Sequence, residues 1–417
     1  MNRRDFLKSA FTLAALSPFT KLYAKEGPDG DKASDIVKGE SVTRRPYKNT
    51  GMTLPLLGFG MMRLPKISPD SQEIDAAVAE KMLNRAMEAG LNYFDTAHMY
   101  HDGMSQVFAG TVLSKYPRDS FYLANKMPPN SAVDIQTVEK IFNEQLEKCK
   151  TPYFDFYLIH SLNAGLWEKH KKIGTYEFLA KMKAEGKIRK LGFSFHDSPE
   201  ALQKIVDDKE WDFAQIQLNY LDWVLYKSKE QYEILAKAGI PTIVMEPIRG
   251  GALATLNDKA SEILKTAKPD ASIASWALRY AASLPNVLCV LSGMTLPEHL
   301  EDNIKTFTPF VALNDSERAT LDKALEAYRK SLAIPCTACR YCMPCPVGVD
   351  IPNIFGNYNQ YKKDNTPRAK HGFVRAYASL GKANADACIE CGLCKTKCPQ
   401  QLDIPTLLKT CKAEAKG

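Results

Sequence analysis

The sequence predicts an α/β chain: a (β/α)8 barrel followed by a small, mostly helical domain built on cysteine clusters. Three observations carry this. From about residue 50 to 310, eight short apolar runs alternate with longer amphipathic stretches. Several of those runs end on polar residues. Near the C-terminus, eight of the eleven cysteines gather into two groups of four.

Length and composition set the outer bounds. A chain of 417 residues suggests two or three domains, with 45% hydrophobic and 25% charged residues as in ordinary globular proteins. The net charge of +7 is mild for this length, and the basic residues form no run with interleaved aromatics, so nucleic acid is not expected as a partner. Outside the clusters stand Cys149, Cys289 and Cys411, too scattered for a disulfide framework. Cys289 lies inside an apolar run and reads as core.

Asn2-Arg3-Arg4-Asp5-Phe6-Leu7-Lys8 precedes an apolar stretch from Ala10 to Phe19. This resembles a twin-arginine export signal, R-R-x-F-L-K, and implies a periplasmic location. The stretch is too short to span a bilayer as a helix. A small-residue cleavage site ends at Ala24, but Leu22 stands at its −3 position, so retention as a membrane anchor is one alternative. A cytoplasmic protein with a merely basic terminus is the other. The expected organisation is a signal over residues 1–24, a polar linker over 25–45, a barrel over 46–330 and a cysteine domain over 331–417.

The apolar runs are Leu56–Met61, Leu91–Asp95, Phe121–Lys126, Phe154–His160, Ile188–Ser194, Phe213–Gln217, Pro241–Glu246 and Val287–Ser292. Segments such as Asp75–Ala89, Ile135–Lys148, Thr175–Glu185 and Ser272–Ala282 separate them, with apolar residues at helical spacing. Continuous apolar strands alternating with helices imply a parallel sheet covered on both faces. Eight of them fit a TIM-type barrel better than a doubly wound sheet. No G-x-G-x-x-G follows an early strand, which counts against a Rossmann dinucleotide fold. A helix from Asp315 through Tyr328 closes the barrel region, and Ala333-Ile334-Pro335 links onward.

Active sites of such barrels form at the C-terminal ends of the strands. There the sequence puts Asp95, Lys126, His160, Ser194 and Gln217, with Tyr100 in the loop after Asp95. Convergent polar ends on apolar strands are the default place for chemistry. A phenol with a pKa of about 10 is a poor acid at neutral pH. A lysine ammonium lowers that value, and an aspartate holds the lysine in place and charged. A histidine then orients a substrate oxygen. Tyr100, Lys126, Asp95 and His160 thus read as a proton-delivery group for a carbonyl or alcohol.

Across roughly residues 45–310 the chain resembles the aldo/keto reductase family. The matching stretches are Asn92-Tyr93-Phe94-Asp95-Thr96-Ala97-His98-Met99-Tyr100, Ala124-Asn125-Lys126, Phe156-Tyr157-Leu158-Ile159-His160 and Lys187-Ile188-Arg189-Lys190-Leu191-Gly192-Phe193-Ser194. The resemblance implies that Tyr100 is the general acid/base, tuned by Lys126 and Asp95. It implies that His160 positions a small carbonyl or alcohol substrate while a hydride moves to or from a nicotinamide ring, NADP or NAD. By the same resemblance Ser194, Gln217 and Asn219 meet the nicotinamide amide or its surroundings. Met245 stands where many members stack an aromatic. Pro247 and Ile248 count among the cofactor contacts, and the Gly250-Gly251 backbone can approach the pyrophosphate closely. Ser292, Gly293, Met294, Glu298, His299 and Asn303 would hold the adenosine end, with His299 where NADP-preferring members often have arginine.

The chain also departs from that family. His101-Asp102-Gly103 follows Tyr100, and Phe193-Ser194-Phe195-His196 replaces the usual serine–asparagine pair. His98, His101 and His196 either line the mouth or are satisfied surface histidines. Ser161, Trp167 and Trp223 are candidates for shaping the substrate pocket.

The last domain carries the most specific pattern. Cys388, Cys391, Cys394 and Cys398 with Pro399 read C-x2-C-x2-C-x3-C-P, the iron–sulfur run of bacterial ferredoxins. Cys336, Cys339, Cys342 and Cys345 with Pro346 repeat it, one residue short before the last cysteine. Asp350-Ile351-Pro352 and Asp403-Ile404-Pro405 follow at the same offset, each a helix start. The domain is therefore an internal duplication holding two [4Fe–4S] clusters, each on three cysteines of one run and the last of the other. Two zinc sites of four thiolates are the alternative, although zinc ribbons usually show separated C-x2-C pairs.

The leading expectation is a nicotinamide-dependent oxidoreductase whose clusters relay electrons, with a redox partner protein, or brace the structure. The alternative is an exported electron-transfer or binding protein with a catalytically silent barrel, because free nicotinamide cofactor is not expected outside the cytoplasm.

Overall fold

The computed structural model describes residues 41–47, 50–68, 71–329, 333–364 and 366–416. The expected signal and most of the expected linker lie outside the described residues. Eight parallel strands close into a barrel in the order β10-β3-β4-β5-β6-β7-β8-β9. They are β3 (Leu57–Gly60), β4 (Tyr93–Asp95), β5 (Tyr122–Met127), β6 (Phe154–Leu162), β7 (Ile188–Phe195), β8 (Phe213–Gln217), β9 (Thr242–Met245) and β10 (Val287–Ser292). Each of the eight apolar runs becomes one strand, shifted by at most a residue or two at its ends. They sit in this sheet because both of its faces are buried, one by helices and one by the barrel interior.

The helices start where short polar side chains satisfy orphan amides. Asp75 accepts from Val78 N ahead of Ala76–Glu88, Asp134 from Thr137 N ahead of Ile135–Lys148, and Ser272 from Ser275 N ahead of Ile273–Ala282. A helix Asp315–Arg329 follows the last barrel strand. No described helix is long and apolar enough to cross a membrane.

An antiparallel hairpin of β1 (Arg44–Tyr47) and β2 (Met52–Pro55) precedes the barrel and departs from the sequence expectation. The linker expected through residue 45 ends sooner, since Val42 is buried and Arg44 already pairs with Pro55. Tyr47 and Leu54 pack with Tyr93, Phe156 and Phe213 in the barrel's inner core, at the end opposite the polar strand termini. The two arginines that look like linker are cappers. Arg44 donates to Gly90 O at 3.2 Å, and Arg45 to Ala282 O at 3.0 Å and Leu284 O at 3.1 Å, carbonyls that follow or end helices.

The cysteine domain contains the two duplicated helices, Ile351–Asp364 and Ile404–Lys416, each starting after its cysteine loop on the isoleucine of the Asp-Ile-Pro signal. A third helix, Pro367–Ser379, lies between them and has no counterpart in the duplication. Phe355, Tyr358, Phe373 and Leu408 form a separate core against which six of the eight cluster cysteines pack. Cys411 is buried in that core, and Cys149 and Cys289 are buried in the barrel, so all three scattered cysteines are packing residues.

Candidate active site and cysteine centre

Strand alternation positions the site. Every second residue of a strand faces the barrel interior. On β4 these are Tyr93 and Asp95; on β5, Tyr122, Ala124 and Lys126; on β6, Phe156, Leu158 and His160. The lower members lie in the apolar inner core, and the last polar member of each strand emerges at the top. Register then brings neighbours together, Asp95 opposite Ala124 and Lys126 opposite Leu158.

Lys126 Nζ donates to Asp95 Oδ1 at 2.5 Å and to Thr96 O at 2.8 Å, and both side chains are buried. The same ammonium lies 4.9 Å from the centre of the Tyr100 ring, a cation–π contact. His160 meets Tyr100 edge-on with ring centres 6.2 Å apart. All four candidate catalytic residues are therefore contiguous.

Their electrostatics differ in one respect from the sequence expectation. Burial raises Tyr100 well above the ordinary phenol value, Tyr341, Asp95 and Glu246 add to the rise, and Arg63 opposes it. Desolvation outweighs the lowering expected from lysine, because the ammonium faces the ring and is already paired with Asp95. Burial also lowers Lys126 and raises Asp95, each partly countered by the other. His160 is driven well below its ordinary value by burial, helped by Lys126, His196 and His98, and is neutral at pH 7.

These residues open onto a cavity of about 630 Å³. It runs from Asp95, Tyr100 and His160 past Met245 and Gly250 to Ser272, Ser292 and Asn303. Its roof comes from the cysteine domain: Thr337, Cys339 and Tyr341 of the first cysteine loop, and Pro399 and Gln400 of the second. Tyr341 Oη lies 3.2 Å from His160 Nε2. Gln217 and Gln400 exchange amide hydrogen bonds of 2.9 and 2.6 Å. Arg249, paired with Asp222 at 3.0 Å, donates to Pro335 O at 3.0 Å, and Tyr226 donates to Pro399 O at 2.7 Å.

The nicotinamide-contact residues expected by resemblance divide. Met245, Pro247, Ile248, Gly250, Gly251, Ser292, Gly293, His299 and Asn303 line the cavity, with Asn303 Nδ2 donating to Ser292 Oγ at 2.9 Å. Ser194 and Met294 do not. Ser194 Oγ accepts from Ser161 N at 2.7 Å and so holds that turn, where Ser161 has φ 56, while Met294 is buried beneath the loop. Gln217 lines the cavity but its amide is engaged by Gln400 and Asp222. Asn219 braces Asp222 and Glu246 O instead of facing the cavity. Gly250, expected to face pyrophosphate, also backs onto the cysteine domain. It has φ +62, and a Cβ there would sit 2.1 Å from Thr337 O.

Gly250→Ala is therefore expected to loosen the docking of the first cysteine loop, costing at least the roughly 1–2 kcal/mol of a left-handed residue. A lower thermal midpoint and faster proteolysis near residue 337 would register it; an unchanged midpoint would count against this contact.

Several residues of the site escaped the sequence reading. Gln215 shares the interior face of β8 with Phe213 and Gln217, lines the cavity, and has a buried Oε1 without a protein donor among the described residues. Glu246, at φ 55, lines the cavity with Oε2 likewise enclosed, and burial raises its carboxyl. Arg63 enters from the loop after β3. Of the open histidines, His196 lines the cavity and burial pushes it down to about 4. His101 is structural, accepting from Leu64 N at 3.2 Å with its other nitrogen 3.0 Å from Gln72 O. Trp167 packs on Trp211 and Trp223 on Tyr280, both away from the cavity.

A nicotinamide dinucleotide fits this cavity. The space reaches from Tyr100 to Asn303, and the unpartnered Gln215 Oε1 in its lining matches an amide N–H donor such as a nicotinamide carboxamide. The cysteines also fit clusters. Burial raises Cys336, and pushes Cys339 and Cys342 up to about 12; in all three Cys398 adds to the rise. Cys394 is raised by burial, with Cys388 and Cys345 adding. The first of these groupings, three thiols of one run with the last of the other, matches one half of the crossed ligand set of a two-cluster domain. Among the described residues no three ligand side chains gather round a single point, and a cube spreads its thiolates over four irons.

A closed (β/α)8 barrel with a buried ion pair beneath a tyrosine and a histidine defines an acid–base site at a barrel mouth. Residues 56–326 match the aldo/keto reductase family model, and the chain belongs to that family. Residues 335–402 match the 4Fe-4S dicluster domain. An aldo-keto reductase of Mycobacterium sp. (strain JLS) is 27% identical over 289 residues, 67% of this chain and 93% of that one. The L-galactose dehydrogenase of Arabidopsis thaliana is 25% identical, covering 70% of this chain and 96% of its own. Among solved structures, an aldo/keto reductase from Klebsiella pneumoniae in complex with NADP and acetate superposes with a TM-score of 0.55 at 22% identity. It covers 67% of this chain and 93% of its own, a likeness of fold.

Proposed function

We propose that this chain interconverts a small carbonyl compound and its alcohol with NADP or NAD, and that its C-terminal domain holds two [4Fe–4S] clusters on Cys336, Cys339, Cys342 with Cys398 and on Cys388, Cys391, Cys394 with Cys345. The observation that carries the reading is the buried Asp95–Lys126 pair beneath Tyr100, with His160 beside it, opening onto the cavity. When bound, the nicotinamide supplies or accepts the hydride. His160, neutral, hydrogen-bonds the substrate oxygen through Nε2. Tyr100, which keeps its proton at neutral pH, gives it to that oxygen as negative charge develops there, or takes it back in the reverse direction. The Lys126 ammonium stabilises the resulting phenolate, and Asp95 keeps Lys126 charged and in place. Gln215, Met245 and Ser292 would hold the cofactor.

Because His160 is already neutral, carbonyl reduction is expected to show no break near the ordinary imidazole value of about 6.5. A kcat profile that bends there and straightens in His160→Gln would overturn this role.

The match of residues 335–402 to a 4Fe-4S dicluster domain supports clusters over zinc, and Cys391 is the exposed cysteine, flanked by exposed Ile389 and Leu393. This is where a redox partner protein would exchange electrons. The twin-arginine resemblance supports export of the folded, cluster-loaded chain to the periplasm. The second reading, a silent barrel in an electron-transfer or binding protein, draws support from the engagement of His160 and Gln217 by the cysteine domain. Anaerobic purification with iron, sulfide and nucleotide analysis separates them. Iron and sulfide near eight atoms each, with NADP quenching protein fluorescence on titration, is expected from two four-iron clusters; iron without nucleotide binding would favour the silent barrel. Cys391→Ser tests the relay: turnover unchanged with one cluster lost would leave the clusters structural.

A further inference from the structure

The first cysteine loop reaches into the polar barrel mouth. Tyr341, between Cys339 and Cys342, brings its hydroxyl to 3.2 Å from His160 Nε2, and its ring meets the imidazole edge-on at 6.3 Å. Tyr100 meets the same imidazole edge-on at 6.2 Å, so His160 is held between two phenols. His160 Nδ1 is enclosed without a partner among the described residues, which leaves Nε2 as the nitrogen that can serve a substrate oxygen. Tyr341 and Tyr100 line one cavity.

The stretch just before the tyrosine is fastened to the barrel. Arg63 Nη2 donates to Thr337 O at 3.2 Å, the Gly250 backbone lies against the same carbonyl, and Arg249 donates to Pro335 O at 3.0 Å. Across the mouth, the Gln217–Gln400 amide pair fixes the second loop. Tyr341 is thus set over the tetrad by specific contacts.

We propose that Tyr341 is a specificity residue of the active site, supplied by the cysteine domain: its hydroxyl occupies the substrate-oxygen position on His160, and its ring bounds the size of the group beside the carbonyl. This rests on the assignment of His160 to the substrate oxygen. An entering oxygen must displace the phenol, so a substrate gains only the difference between two hydrogen bonds at this nitrogen. Compounds with a small group next to the carbonyl fit under the ring, whereas bulky ones collide with it.

The test uses the full-length, cluster-loaded protein as wild type, Tyr341→Phe and Tyr341→Ala. Steady-state reduction of propanal and of 4-phenylbenzaldehyde by NADPH is measured. Acetate, a mimic of the substrate oxygen, is titrated calorimetrically with and without NADP. In Tyr341→Phe the dissociation constant for acetate and KM for propanal are expected to fall roughly two- to tenfold, the worth of one neutral hydrogen bond, with kcat unchanged. In Tyr341→Ala the kcat/KM ratio of the bulky to the small aldehyde is expected to rise at least about tenfold, the discrimination of a pocket wall. Unchanged acetate affinity and an unchanged aldehyde ratio, with only a lower thermal midpoint, would show Tyr341 to be merely structural and overturn the proposal. If wild type neither turns over aldehydes nor binds NADP, the reductase reading fails by itself. The acetate titration of Tyr341→Phe without NADP still decides this one, and it also carries the decision if Tyr341→Ala does not fold.

Discussion

Tyr100→Phe is expected to lower kcat for carbonyl reduction by about 10²- to 10⁴-fold, the usual contribution of a positioned general acid. The substitution removes one hydroxyl and keeps the buried ring, so the edge contact with His160 and the cation–π contact with Lys126 persist. The fold and nicotinamide affinity are therefore expected to match wild type by thermal midpoint and fluorescence titration. The loss should fall on kcat and kcat/KM alike, because the missing proton transfer belongs to the transition state. His160 cannot substitute, being neutral at pH 7 with its pKa driven well below the ordinary range by burial. Residual turnover within tenfold of wild type would remove Tyr100 from the acid role.

What was legible in the chain followed from periodicity and burial. Apolar runs covered on both faces mark the strands by themselves, and the polar residue ending each run marks the mouth, so Asp95, Lys126 and His160 were readable without coordinates. Tyr100 came from its place in the loop after Asp95. Less was legible where a side chain's direction depends on a neighbour far away in the chain. Ser194 and Gln217 stand at strand ends, yet one turns to Ser161 N and the other to Gln400. Gln215 was within reach of simple alternation, since it shares the interior face of β8 with Gln217. Tyr341 and Gln400 were not, because short cysteine loops have no period and no sequence rule says that they dock on the barrel. The hairpin from Arg44 was hidden because its first two residues close the polar stretch over 25–45, and the carbonyls they cap lie far away in the chain.

The largest stability effect is expected at the pair beneath the tyrosine. Lys126→Met keeps most of the side-chain volume but leaves Asp95 buried without its partner, and breaking such a pair costs about 3–5 kcal/mol. Asp95 can limit the loss by taking up a proton, since burial already raises its pKa even with Lys126 present. That fixes the sign of the pH dependence. In the variant the folded-state pKa of Asp95 lies above the unfolded value of about 4, so the folded state binds more protons than the unfolded one. The penalty is then small below pH 4 and grows as pH rises towards the folded value. Asp95→Asn leaves instead an ammonium whose remaining bond is to Thr96 O, and that group can shed its proton. The double variant Asp95→Asn/Lys126→Met removes both charges together and is expected to be more stable than the sum of the single losses predicts, by about 1–3 kcal/mol of coupling. Denaturant unfolding of the four proteins at two pH values measures this directly. Additive losses without pH dependence would mean that the two groups do not act as a buried ion pair, and would leave Tyr100 without the charge that its phenolate needs.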